Sequence, residues 1–93
     1  MTLDYLTMDI HYDMKNDTYS IDGTVAEHGR EEVLSTFLRN QIGAGADPNE
    51  GIFKDEYHIT LRWYPADDRI ACDYDTGNKG LRDGILMRIL KDL

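Results

Sequence analysis

From Leu6 to Tyr12 the chain alternates. Leu6, Met8, Ile10 and Tyr12 fall on one side, and Thr7, Asp9 and His11 on the other. A period of two is that of a strand with one face in the core and one in water. The polar stretch Met14-Lys15-Asn16-Asp17 reads as a turn. Alternation then resumes, with Tyr19, Ile21 and Val25 set against Thr18, Ser20, Asp22 and Thr24. Two such runs around a short polar turn predict a β-hairpin.

After Gly29 the period lengthens. Val33, Leu34, Phe37, Leu38 and Ile42 recur at helical spacing. Glu31 and Glu32 fall in the predicted first turn, where the helix dipole favours acidic side chains. Gly43-Ala44-Gly45 supplies a C-cap, and residues 43–55, with their glycines and Pro48, form the connector. The pattern then starts again. Tyr57, Ile59, Leu61 and Trp63 alternate with polar neighbours, and Pro65-Ala66-Asp67-Asp68 reads as a turn. Ile70, Cys72 and Tyr74 alternate in turn, and Leu81, Ile85, Leu86, Ile89, Leu90 and Leu93 form a helical stripe.

The chain therefore reads as one domain over residues 1–93: a ββα unit (1–42), a connector (43–55) and a second ββα unit (56–93). Laid over each other at a shift of 59 − 8 = 51, the halves match Met8 with Ile59, Tyr12 with Trp63, Ile21 with Cys72 and Leu34 with Ile85. Asp17, Asp22 and Gly29 then meet the identical Asp68, Asp73 and Gly80. The predicted fold is α+β, a four-stranded antiparallel sheet with both helices packed on one face.

Within this frame, Ala26-Glu27-His28-Gly29 through Gly45-Ala46-Asp47-Pro48-Asn49 resembles the second half of an ankyrin repeat. The T-P-L-H opening and a second copy are both missing, and a lone repeat cannot bury its own face. The likeness is one of turn chemistry, and it implies no function.

Composition narrows the chemistry. One cysteine, Cys72, leaves no internal disulfide and no C-x-x-C motif. As a core-facing thiol it is expected to behave as a small hydrophobe. The N-terminal residues lack a basic start followed by an apolar run, so the expected compartment is cytoplasmic, with no membrane contact. The net charge is −8. Residues 1–50 hold three basic against ten acidic residues, a net of −7, while residues 51–93 hold seven against eight. Such a chain repels a phosphate backbone, so direct nucleic-acid binding is not expected, whereas a basic protein partner is.

Three places carry candidate chemistry. On the outward face of the first hairpin stand Asp9, His11, Asp13 and Asp22, with Asp17 in the turn, and the second hairpin adds His58, Arg62 and Asp73. These residues suit a partner-binding acidic face. Alternatively His11 and His58 with nearby aspartates suit a small metal-dependent enzyme, although no H-E-x-x-H spacing is present. No cofactor is called for. Second, Gly77-Asn78-Lys79-Gly80 between the last strand and helix suits an anionic small ligand, without P-loop spacing. Third, the broad apolar stripe of the last helix, with Met87 beside it and Gly84 as a flat spot, suits a homodimer contact. Ser20 and Ser35, the two serines, lie in no nucleophile-elbow sequence, so nothing points to serine catalysis.

Overall fold

The computed structural model describes residues 4–41, 55–76 and 79–93. The elements run β1 (Leu6–Asp13), β2 (Thr18–Gly23), α1 (Glu27–Gln41), β3 (Glu56–Tyr64), β4 (Arg69–Tyr74) and α2 (Lys79–Asp92). The four strands form one sheet in the order β2-β1-β3-β4, all neighbours antiparallel. The class is α+β.

Alternation along β1 and β3 sets the faces. Met8, Ile10, Tyr12, Tyr57, Ile59 and Leu61 are buried and meet Val33, Leu34, Phe37 and Leu38 of α1 and Ile85, Leu86 and Ile89 of α2 in one cluster. Burying a side chain of this size stabilises the fold by about 1.5–3 kcal/mol. Ile10, Leu34, Ile59 and Leu86 are wholly covered, so truncating any of them costs about 2–5 kcal/mol through lost burial and a residual cavity. The edge strands β2 and β4 contribute partly buried residues, Tyr19, Ile21, Ile70, Cys72 and Tyr74.

The two hairpins are built alike. Moving each β1–β2 partner pair on by 51 gives a β3–β4 pair: Met8↔Gly23 becomes Ile59↔Tyr74, and Asp13↔Thr18 becomes Tyr64↔Arg69. Each turn ends in an aspartate with positive φ, Asp17 at 58° and Asp68 at 52°. Each of these carboxylates accepts from the aromatic residue five positions earlier, Asp17 from the Tyr12 hydroxyl and Asp68 from Trp63 Nε1. At the exits, the Thr7 amide donates to Thr24 Oγ1 at 2.9 Å and the His58 amide to Asp75 Oδ1 at 2.8 Å.

Some boundaries differ from the sequence reading. β2 ends at Gly23, whose φ of 125° turns the chain out of the sheet, so Val25 is not a strand residue. Its amide, with that of Thr24, donates to the Thr7 carbonyl, and its side chain is still buried. α1 starts at Glu27, before Gly29. Glu27 is therefore the acidic residue of the first turn, ahead of Glu31 and Glu32, and the dipole argument applies to it. The expected Gly43-Ala44-Gly45 cap lies outside the described residues.

Arg82 was not foreseen as a core residue. It is 5% exposed, with its guanidinium over the rings of Phe37 (5.0 Å) and Tyr74 (4.7 Å) and paired with Asp83. Two aromatic faces and a carboxylate offset the cost of burying the cation.

Candidate acidic face of the sheet

The residues between the core positions point away from the helices, and the register sorts them into rows. One row crosses all four strands as Asp22, Asp9, Thr60 and Asp73. The next runs Ser20, His11, His58, and the one beyond it Thr18, Asp13, Glu56. On the other side of the first row lie Thr7, Arg62 and Ala71. Two rows thus set carboxylates directly opposite each other, Asp9 with Asp22 and Asp13 with Glu56. Like charges directly opposite on antiparallel strands destabilise a sheet.

Local bonds hold parts of this face. The Thr60 hydroxyl donates to Asp9 Oδ1 at 2.9 Å, and His58 Nε2 lies 4.0 Å from the same oxygen. Asp13 accepts from the Asn16 side chain at 2.7 Å and from its amide at 3.2 Å. The Asn16 side-chain bond, then the amide bond, holds the Asp13 carboxyl below its ordinary value. Asp13 therefore stays charged at neutral pH. Arg62 pairs with Asp73, and Arg69 stacks over Tyr64 at 4.2 Å. Both arginines belong to the second hairpin, whereas the first brings only Lys15 near Asp13 among the described residues, so the excess of acid lies on β1, β2 and the start of β3.

His11 and His58 face each other across β1 and β3 with ring centroids 4.4 Å apart and planes 12° apart. Parallel stacked rings direct their nitrogen lone pairs along parallel planes. They do not converge on one ion at the 2.0–2.1 Å that zinc requires. Among the described residues no group of three or more His, Cys, Asp or Glu side chains comes together to hold a metal.

Shallow hollows open on the face. One of about 290 Å³ is bordered by His11, Asp13, Ser20 and Glu56, and one of about 210 Å³ by His58, Thr60, Asp73 and Asp75. Both fall at or below the lower end for small-molecule pockets, roughly 300 Å³, and both are open to solvent.

The predicted site residues divide. Asp9, His11, Asp13 and Asp22 share the outward face. Asp17 does not join them: its carboxylate is turned to the helix side, where it binds Tyr12 and pairs with Arg88 of α2. The cause is the positive φ at Asp17, which swings the side chain out of the strand alternation. Glu56 was missed as a site residue, although it precedes the Tyr57–Trp63 alternation by one position and continues its polar phase. Gly77 and Asn78 lie outside the described residues, and Lys79 and Gly80 open α2. Cys72 is partly buried, and burial pushes its thiol up to about 11, with Arg82 opposing.

The chain matches no protein-family model, no curated protein and no solved structure. No helix among the described residues is long and apolar enough to cross a membrane.

Proposed function

We propose that the protein is a non-enzymatic binding and regulatory module that presents the outward face of its first hairpin, extended by Glu56, to a basic segment of a protein partner. One observation carries this reading. Asp9 faces Asp22 and Asp13 faces Glu56 in register, two places where carboxylates stand directly opposite each other, the first of which works against the sheet it sits on. A cationic segment laid across β2, β1 and the start of β3 neutralises both. Lysine or arginine side chains four residues apart on an extended partner would meet the two carboxylate rows, with the His11 row between them. Such complementarity sets on-rate and specificity, and it weakens as salt rises.

In the same reading the chain is a tandem of two ββα units whose outward faces have diverged. The matched registers, the paired aspartates at positive φ and the paired exit bonds support this equivalence. The first unit keeps the acidic face, while in the second Arg62 neutralises Asp73.

The test is an NMR titration of the protein with a lysine-rich peptide in low salt. The amides of Asp9, His11, Asp13, Asp22 and Glu56 are expected to shift, and the affinity to fall steeply as salt rises. Shifts confined to other surfaces, or none, would remove the proposal.

A further inference from the structure

The side of the molecule opposite the acidic face is the helical layer, and its charge is different in kind. α1 carries two basic and three acidic residues, and α2 four basic and two acidic, so the two helices together are +1 in a chain of −8. Two copies therefore repel each other far less through their helices than through the rest of the chain, which is −9. The helices meet along an outward groove of about 300 Å³ lined mostly by apolar surface from Leu38, Met87 and Leu90. Met87, at its rim, is 59% exposed, far more than its neighbours Ile85, Leu86 and Ile89.

Two further features fit one occupant. The groove is flanked by opposite charges, Arg39 on α1 and Asp83 on α2. Arg39 donates to Ser35 Oγ on its own helix at 3.3 Å. Asp83 is held by Arg82 through Oδ1 at both Arg82 contacts, 2.8 and 2.9 Å. Beside Met87, Gly84 is exposed, and a Cβ built on it meets nothing within 4 Å. Its lack of a side chain therefore serves no packing within the described part of one chain. In the helix interior, glycine costs about 1 kcal/mol relative to alanine.

We infer that the α1–α2 groove docks a second copy of this chain. On a two-fold axis over the groove, Met87 of each copy enters the groove of the other beside Gly84. Arg39 of each then meets Asp83 of the other, as the self-complementary surface of a two-fold dimer requires. The acidic sheet faces are left outward on opposite sides of the dimer. The module becomes bivalent, so two linked basic segments bind more tightly than either alone.

The test is sedimentation equilibrium over a protein concentration series, on the wild type and three variants. The wild type is expected to dimerise with a dissociation constant in the range of about 1–100 μM. Met87→Glu and Gly84→Gln should each weaken the dimer by about thirty-fold or more, and Arg39→Glu by less. Gly84→Gln should unfold at the same temperature as the wild-type monomer or higher, which separates a lost contact from a lost fold. Asp9→Asn/Asp22→Asn, on the opposite side, should not weaken the dimer, so failure of the acidic-face reading and failure of the dimer are told apart. A wild type that stays monomeric at every concentration overturns the inference. So does a dimer that Met87→Glu and Gly84→Gln both leave intact. If the protein is monomeric and Phe53→Ala shifts the Met87 methyl signal, the occupant is the chain's own 42–54 segment.

Discussion

In the first hairpin Asp9 stands opposite Asp22. At the matching place in the second, Thr60 stands opposite Asp73, and Arg62 neutralises that aspartate. The two hairpins share strand register, turn length and the backbone of the final turn residue, so none of these demands the facing carboxylates of the first. Asp68 anchors its turn to Trp63 much as Asp17 does to Tyr12. The aspartates in the turns belong to the architecture. So does Asp13, which accepts from the amide and side chain of Asn16 in the first turn. The facing pair Asp9 and Asp22 is extra to it, and a feature that opposes stability without serving the fold is where a binding role is sought.

The comparison breaks most sharply at the hairpin exits. Gly23, at φ 125°, corresponds to Tyr74. A Cβ at Gly23 would overlap the Thr7 carbonyl oxygen. Gly23→Ala is therefore expected to cost about 3 kcal/mol in chemical unfolding, because the backbone is strained and the strand cannot withdraw. The second hairpin carries a full tyrosine at the equivalent point.

Ile21 and Cys72 form another matched pair. With its thiol pushed up to about 11 by burial, Cys72 should react with iodoacetamide at pH 8 about a hundred-fold more slowly than in the denatured chain. The linked effect on stability has a definite sign. The unfolded thiol ionises near its ordinary 9.0 and the folded one near 11. Stability from this group is full below pH 9.0 and declines as pH rises towards 11. Cys72→Val should remove that decline.

The turn aspartates differ in one partner. Asp17 pairs with Arg88, while Asp68 bonds Trp63. Asp17→Asn should lower stability by at most about 1 kcal/mol, the usual scale of an exposed ion pair. Asp68→Asn should change it less, since the amide oxygen still accepts from Trp63 and asparagine tolerates positive φ.

The strands, their inward residues and the two helices were legible from period alone, because burial on one face leaves its mark in every second or every third and fourth residue. Strand order was not legible. Each hairpin is closed by its own turn, and alternation is the same whether β1 or β2 meets the other hairpin. The pairing of β1 with β3 sets His11 on His58 and Asp13 on Glu56, so the neighbours across the two hairpins came only with the structure, while the outward phase of Asp9, His11, Asp13 and Asp22 was legible. Asp17 was placed in its turn, but its pairing with Arg88 of α2 was not legible, because the period of the strands says nothing of where a turn residue with positive φ directs its side chain. A sharper signal was present in the spacing, since an aromatic strand residue precedes a turn-ending aspartate by five in both halves.

The central claim is that Asp9 and Asp22 serve binding at the expense of the fold, and one variant measures both. Asp9→Asn/Asp22→Asn keeps an acceptor for Thr60 and removes both charges. Its urea unfolding should be measured beside its low-salt affinity for a lysine-rich peptide. The account predicts opposite movements, stability rising by about 0.5 kcal/mol while the peptide affinity and its salt dependence both fall. A variant that loses stability, or binds the peptide as well as the wild type, would contradict it.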